Sequence, residues 1–122
     1  MPKSNDAFRQ AVAMRDGWYC YYCGVPLVKS ADPQAINAPQ LEHRIPQCQG
    51  GTYALENLVL ACRHCNGFKR HSTEQNFLVQ LAYSWHYYEW LTPKQKRLIP
   101  PYWLDGGQLP DWMSIAIVRS TL

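Results

Sequence analysis

Apolar residues near the start of the chain recur at the spacing of an α-helix. Phe8, Ala11 and Val12 fall on one face of a helix drawn over residues 5–16, as expected for a segment that packs one side against a core. Gly17 follows directly and suits the left-handed residue that ends many helices. We therefore predict an N-terminal helix over this segment.

Two short segments in the middle of the chain are candidate β-strands. Residues 41–45 form the first candidate, which Pro46 ends, and residues 58–61 form the second. A Gly-Gly turn lies between them. Residues 29–40 are rich in Pro, Ala and polar side chains and are predicted to form a loop. Residues 66–71 are interpreted as the start of a helix.

A longer apolar stripe at helical spacing follows the second strand. Ser72 with Gln75 resembles a capping box. The stripe consists of Phe77, Leu78, Leu81, Ala82, Trp85 and Tyr88. Core packing explains this pattern better than a cofactor role does. Thr92 and Pro93 predict another short helix, whereas residues 100–122 are predicted to be irregular.

Composition places the chain among globular proteins with room for a polyanionic partner. The 122 residues fit one domain, and 47% are hydrophobic, which argues against a disordered tail. The net charge of +3 permits a nucleic-acid partner without requiring one. No stretch is apolar enough to cross a membrane, and the first residues lack an apolar signal core. We therefore expect a cytoplasmic protein with no membrane partner.

Two pairs of cysteines carry the strongest local signal. Cys20 and Cys23 form one Cys-x-x-Cys turn, and Cys62 and Cys65 form another. Two such turns can close a tetrahedral structural zinc site, which leaves no open position for water. A redox role is the competing interpretation, but no βαβ pattern surrounds either pair. Cys48 lies outside both pairs and is interpreted as an incidental free thiol.

The residues between and just after the cysteine pairs form a recognisable pattern. It reads Leu41-Glu42-His43-Arg44-Ile45-Pro46, then Gly50-Gly51, then Glu56-Asn57-Leu58, then Cys62-Arg63-His64-Cys65-Asn66-Gly67-Phe68-Lys69. From Cys20 to about Lys69 this pattern resembles the HNH endonuclease family. The resemblance implies an α+β fold with a ββα-metal (HNH, His-Me finger) core, a four-cysteine zinc site and peripheral helices. We expect one nuclease domain over residues 1–122, with its core at about 17–72 and a C-terminal helical extension at 73–122.

The resemblance also assigns catalytic roles. It implies that the protein hydrolyses DNA phosphodiester bonds and that His43 is the general base, a role suited to a side chain whose pKa lies near working pH. It assigns a catalytic divalent ion, Mg²⁺ or Mn²⁺, to Glu42 and Asn66, whose oxygen atoms suit such ions. It implies that Asn57 orients His43 or braces the loop between the strands. In a strand Glu42 and His43 point to opposite faces.

Two positions depart from the family pattern. Glu42 stands where the family usually has Asp or His. Its side chain is one methylene longer than that of Asp, so either the metal geometry shifts or Glu42 supports the metal ligands without binding the ion itself. Asn66 stands where the family name implies His; Asn is a common variant there but a weaker neutral ligand. His71 is a further, less favoured candidate on the same predicted helix. Two protein ligands leave the ion to be completed by water and phosphate oxygens.

Basic residues cluster near these positions. Arg63, Lys69 and Arg70 border the proposed metal site and are predicted to contact DNA phosphates, as is Arg44 beside His43. A second cluster fits a solvated face as well as a DNA contact. It consists of Lys94, Lys96 and Arg97. His64 is predicted to be solvated or to face DNA.

Three functional hypotheses follow from the sequence. The first is an HNH endonuclease that nicks DNA or cuts both strands. For an enzyme that cuts both strands, a homodimer is one way to supply the two active sites. The second is a non-catalytic, zinc-stabilised module that binds nucleic acid, as the zinc site, basic patches and many aromatic residues also allow. The third is RNA cleavage by the same site chemistry.

Overall fold

The computed structural model describes residues 5–29 and 32–113. Over these residues the chain forms five α-helices and one two-stranded sheet, joined by loops and short 3₁₀ turns. The elements are α1 (Asn5–Asp16), β1 (Gln40–His43), β2 (Leu58–Ala61), α2 (Arg63–Lys69), α3 (Glu74–His86), α4 (Pro93–Lys96) and α5 (Pro101–Leu104). This mixture confirms the predicted α+β class.

Helix α1 has the bounds that the apolar spacing predicts. Val12 and Ala13 are buried, and Phe8 packs against the core from its edge. Gly17 ends the helix in the left-handed region, with φ of +83°, a conformation that glycine adopts at little cost. Local sequence is therefore sufficient to define this element.

Strands β1 and β2 form an antiparallel hairpin in which Glu42 pairs with Val59 and His43 pairs with Leu58. Every residue of β2 is buried. Strand β1 is shorter than predicted, because it ends at His43. Beyond that point the backbone N–H of Ile45 donates to a side chain, the amide oxygen of Asn57, instead of to a backbone carbonyl of a partner strand.

The Gly-Gly turn between the strands is a steric requirement. Gly50 has a φ of +92°. A Cβ on Gly51 would lie 1.7 Å from the carbonyl oxygen of Ile45. The backbone N–H of Gly51 donates to the carbonyl oxygen of Pro46 at 2.9 Å, which draws the two segments together. Only glycine leaves enough room for this close approach.

Helix α2 begins earlier than predicted. The sequence placed its start at Asn66, but the helix begins at Arg63 because Cys62 is its N-cap. The thiol of Cys62 accepts a hydrogen bond from the backbone N–H of Cys65 at 3.3 Å. The helix ends at Lys69, and Arg70 has a φ of +50°. The prediction missed this start because sulfur is an unusual capping atom.

The next helix also begins at a residue other than the predicted one. The N-cap of α3 is Thr73, whose hydroxyl accepts from the backbone N–H of Asn76 at 3.3 Å, so the predicted capping box at Ser72 and Gln75 is wrong. The predicted stripe is confirmed as core packing. Phe77, Leu81 and Ala82 are buried, and Leu78, Trp85 and Tyr88 pack against them.

The later helices are short. Thr92 and Gln95 form a reciprocal capping box at the start of α4. The helix that the Thr-Pro pair predicted there is confirmed. The prediction that residues 100–122 are irregular is wrong where α5 forms, because Pro101 starts a turn of helix that buries Trp103. Residues 114–122 lie outside the described residues.

The C-terminal elements share one core with the hairpin. The indole N–H of Trp103 donates to the carbonyl oxygen of Cys23 at 2.9 Å, and that of Trp112 donates to the carbonyl oxygen of Tyr22 at 2.8 Å. Phe77 and Tyr22 are in edge contact with their ring centroids 5.2 Å apart. In the described part of the chain, no helix has the length and apolarity needed to span a bilayer.

Candidate active site and zinc centre

The four paired cysteines converge beside the end of β2. Their sulfur atoms all lie within 4.8 Å of one another, and all four residues are buried. The sulfurs of Cys23 and Cys62 are 3.7 Å apart. A tetrahedral zinc with sulfur at about 2.3 Å separates its ligands by about 3.8 Å. Geometry and donor chemistry therefore fit a structural zinc ion held by Cys20, Cys23, Cys62 and Cys65.

The thiols form a network that can carry negative charge. Burial raises the pKa of the Cys20 thiol, but hydrogen bonds from Cys23, Cys62 and Cys65 outweigh burial and lower that pKa well below its ordinary range. The same hydrogen-bond network raises the pKa of Cys23 and of Cys65. One thiolate surrounded by thiol donors is a starting point for metal binding, which deprotonates the remaining thiols.

The cysteine cluster is tied directly to the hairpin. The backbone N–H of Tyr21, inside the first cysteine pair, donates to the carbonyl oxygen of Leu60 in β2 at 2.8 Å. The second pair leads from β2 into α2 through Cys62. A metal at this position therefore holds the first turn, β2 and α2 in one arrangement, which fixes where the residues of α2 lie relative to β1.

His43 is the last residue of β1 and is half-buried. Its ring lies edge-on to the ring of Tyr53, with centroids 4.6 Å apart and planes at 88°. Burial and the positive charge of Lys69 lower the pKa of His43 below its ordinary value. Its Nε2 atom is buried without a hydrogen-bond partner. Such an unpaired polar atom is costly and points to water, an ion or a functional role at this position.

Asn57 braces the loop that follows β1. Its side-chain oxygen accepts from the backbone N–H of Ile45 at 2.9 Å, and its side-chain nitrogen donates to the carbonyl oxygens of Ile45 at 3.1 Å and Thr52 at 2.9 Å. Of the two roles implied by the resemblance, this geometry matches bracing the loop, since all three bonds go to loop backbone. Tyr53, which contacts His43, is in the same loop.

Glu42 forms a buried ion pair that the sequence did not indicate. Its Oε1 atom accepts a hydrogen bond from the ammonium of Lys69 at 3.0 Å, and the same ammonium donates to the carbonyl oxygen of His43 at 2.8 Å. Burial raises the pKa of Glu42, although the hydrogen bond and charge of Lys69 oppose that rise. Glu42 can offer a metal ion its carboxylate only while sharing it with Lys69.

The predicted phosphate contact of Lys69 does not agree with this arrangement. Its side chain is 0% exposed, and its ammonium is committed to two protein oxygens. A lysine enclosed in this way anchors the proposed site from within and is not available to a ligand on the surface. We replace the predicted DNA contact of Lys69 with this internal role.

Arg44 is also engaged by other groups of the protein, although its side chain is partly exposed. Its guanidinium forms two hydrogen bonds with the carboxylate of Glu74, one of them from Nη2 to Oε1 at 3.0 Å. A third bond joins Nη1 to the carbonyl oxygen of Glu56 at 3.2 Å. Arg44 therefore links the hairpin to α3. Its predicted contact with DNA stays a prediction.

Asn66 lines a surface cleft, whereas the Glu42 carboxylate is buried. The cleft has a volume of about 780 Å³ and is also lined by Arg63 and Arg70, both of which are exposed. Asn66 precedes Lys69 by three residues on α2, so the two lie on adjacent parts of the helix surface. The structure thus groups Asn66 with the two exposed arginines and groups Glu42 with Lys69.

His71 is closer to the site than the sequence suggested. It lies beyond the end of α2, not on the helix as predicted. Its charge opposes the burial-driven rise in the pKa of Glu42, though less than Lys69 does. The side-chain amide of Gln49 donates to the carbonyl oxygen of His71 at 2.6 Å, which fixes this segment beside the Gly-Gly loop. No sequence signal marked Gln49 for this role.

A two-stranded hairpin and a helix, closed by four cysteines and carrying a histidine at the end of the first strand, define the ββα-metal class of fold. Residues 20–72 match the family model described as HNH endonuclease. This match confirms, for that segment, the resemblance stated from the sequence. No curated protein and no solved structure matches the chain.

Proposed function

We propose that the protein is a metal-dependent HNH endonuclease that hydrolyses DNA phosphodiester bonds, by nicking or by double-strand cutting. The observation that carries the proposal is His43, because its imidazole has a lowered pKa and a buried Nε2 without a partner, inside the segment that matches the family. A neutral imidazole can take a proton from an attacking water. Asn57 supports this base by holding the loop that packs against it.

The catalytic ion is assigned to Glu42 and Asn66, whose oxygens suit Mg²⁺ or Mn²⁺. Such an ion supplies positive charge for the phosphate and the departing 3′ oxygen. Lys69 holds Glu42 in place and lies beside the backbone of His43, so one side chain positions both the proposed ligand and the proposed base. Arg63 and Arg70, exposed beside Asn66, are the proposed phosphate contacts.

A second candidate function rests on the ion pair of Glu42 and Lys69. A buried ammonium already neutralises the carboxylate that the family pattern assigns to the metal. If the metal does not compete with Lys69, the protein is a non-catalytic zinc-stabilised module that binds nucleic acid. That function predicts binding with a steep salt dependence and no strand cleavage.

Zinc-loaded protein incubated with supercoiled plasmid separates the two functions. With Mg²⁺ or Mn²⁺ added in turn, the endonuclease converts plasmid to nicked or linear form, and Glu42→Gln slows the conversion in a way that higher metal concentration partly restores. Binding without cleavage under every metal supports the module. A parallel digest of RNA decides whether DNA is the preferred substrate, and appearance of linear product before nicked circles supports a homodimer.

A further inference from the structure

Two surface clefts meet at the side chain of Phe68, near the C-terminal end of α2. The first is the cleft that contains Arg63, Asn66 and Arg70. The second has a volume of about 390 Å³ and includes Tyr83 and Lys94, which belong to the C-terminal extension. Phe68 lines both. The two clefts and the ring between them are here called the Phe68 track.

The charge of the Phe68 track favours a polyanion. Arg63, Arg70 and Lys94 line it, and no carboxylate is found among the described residues that do. The cleft beside Gly51 is of mixed charge, because Glu56 and Glu74 line it together with Arg44. Clefts lined by charge of one sign concentrate ligands of the opposite sign. The Phe68 track is therefore the better surface for a phosphate backbone.

Phe68 offers an aromatic face in the middle of this basic surface. The residue is 43% exposed. On one side it contacts the ring of His64, with centroids 4.8 Å apart. His64 is half-buried, and its Nε2 lies 3.1 Å from the carbonyl oxygen of Leu98, so it supports Phe68. Of the two alternatives predicted for His64, the structure contradicts a fully solvated side chain, and the DNA-facing alternative stays a prediction. A ring supported in this way is pre-organised to stack on a base.

We propose that the Phe68 track binds a single-stranded stretch of nucleic acid. One base stacks on Phe68, and the flanking phosphates lie near Arg63 and Arg70 on one side and near Lys94 on the other. Stacking requires an exposed base face, which a continuous duplex does not offer. The inference deepens the proposed endonuclease function, since it names the path of one strand leading from Asn66. It also gives the C-terminal extension a role in substrate binding.

Fluorescence anisotropy with labelled oligonucleotides tests the track without any cleavage. The protein carries His43→Ala, retains zinc and receives no other divalent ion. The probes are a single strand of about 15 nucleotides, within the site sizes common for single-strand binders, and the duplex of the same sequence. Phe68→Leu keeps an apolar side chain but removes the ring. Lys94→Gln removes a charge, and Lys29→Gln, which lies outside both clefts, is the matched control.

The track predicts that single strands bind more tightly than the duplex. Phe68→Leu weakens single-strand binding by roughly five- to tenfold and duplex binding by less than about twofold, because one stacked base contributes a modest free energy. Lys94→Gln lowers the salt dependence of single-strand binding by about 0.7 in slope, and Lys29→Gln leaves it unchanged. Circular dichroism verifies that each variant is folded.

Equal affinity of Phe68→Leu and its parent for the single strand overturns the inference, as does tighter binding of the duplex. An unchanged salt slope in Lys94→Gln removes the extension from the track. These outcomes are separate from the proposed function. If the protein binds single strands through Phe68 but cuts no plasmid, only the nuclease proposal is contradicted. If it cuts plasmid but Phe68→Leu does not weaken single-strand binding, only the Phe68 track is contradicted.

Discussion

The ammonium of Lys69 donates a 3.0 Å hydrogen bond to the carboxylate of Glu42, and both side chains are buried. The same ammonium donates to the carbonyl oxygen of His43. One residue of α2 therefore holds the proposed metal ligand and the backbone of the proposed base together. The buried ammonium of Lys69 therefore joins strand β1 to helix α2, the two elements that carry the site.

Removing the ammonium is expected to destabilise the fold. Lys69→Met leaves the carboxylate of Glu42 buried without a counter-charge, which costs about 3–5 kcal/mol in comparable cases. Urea denaturation at fixed zinc concentration measures the free energy of unfolding. Lys94→Met, at an exposed lysine, is the control and is expected to change stability by less than about 0.5 kcal/mol. Similar values for the two variants would show that the ion pair contributes little.

The pH dependence of cleavage reports on His43. Burial and the charge of Lys69 lower its pKa below 6.5, so the neutral, proton-accepting form persists below that pH. The folded state also binds this proton less readily than the unfolded chain. The stability that His43 contributes is therefore present above the unfolded pKa and is lost as pH falls through the folded pKa. We predict that the acidic limb of kcat/KM lies below pH 6.5, and a limb at or above that pH contradicts the assignment of the base.

The Gly-Gly loop gives a matched pair of substitutions. Gly51→Ala places a Cβ 1.7 Å from the carbonyl oxygen of Ile45, so the loop must move and the bonds of Asn57 must break. Gly67→Ala meets no atom within 4 Å and lies in α2, where alanine is favoured by up to about 1 kcal/mol. Thermal denaturation is expected to show a lower Tm for Gly51→Ala and an equal or higher Tm for Gly67→Ala. Equal values for both variants would mean that the loop tolerates the clash.

Zinc removal tests the role of the cysteine cluster. Because metal binding at such a centre contributes to folding free energy, strong chelation is expected to abolish most of the helical circular dichroism. Metal analysis should give one zinc per chain. Cys65→Ser removes a buried thiol of the cluster and should lose zinc, whereas Cys48→Ser removes an exposed thiol outside it and should not. Retention of zinc and structure in Cys65→Ser is the contrary result.

Sequence predicted the local parts of this site well. The two cysteine pairs, helix α1 and strand β2 depend on residues close together in the chain, where spacing and propensity are informative. The partner of Glu42 is 27 residues away and that of Arg44 is 30 residues away. Charge and closeness in the sequence to the proposed site made Lys69 and Arg44 candidates for DNA contact. Only the packing of α2 and α3 against the hairpin shows that each is paired with a carboxylate, Lys69 in the interior and Arg44 at the partly exposed edge.

The rate of plasmid cleavage by His43→Ala is the most direct measure of the central claim. Single-turnover assays with zinc-loaded protein and saturating Mg²⁺ or Mn²⁺ compare it with wild type and with His86→Ala, which alters an exposed histidine on α3. Loss of a general base typically slows a reaction by about 10²–10⁴-fold. We predict a loss in that range for His43→Ala and none for His86→Ala. Cleavage by His43→Ala at the wild-type rate contradicts the account.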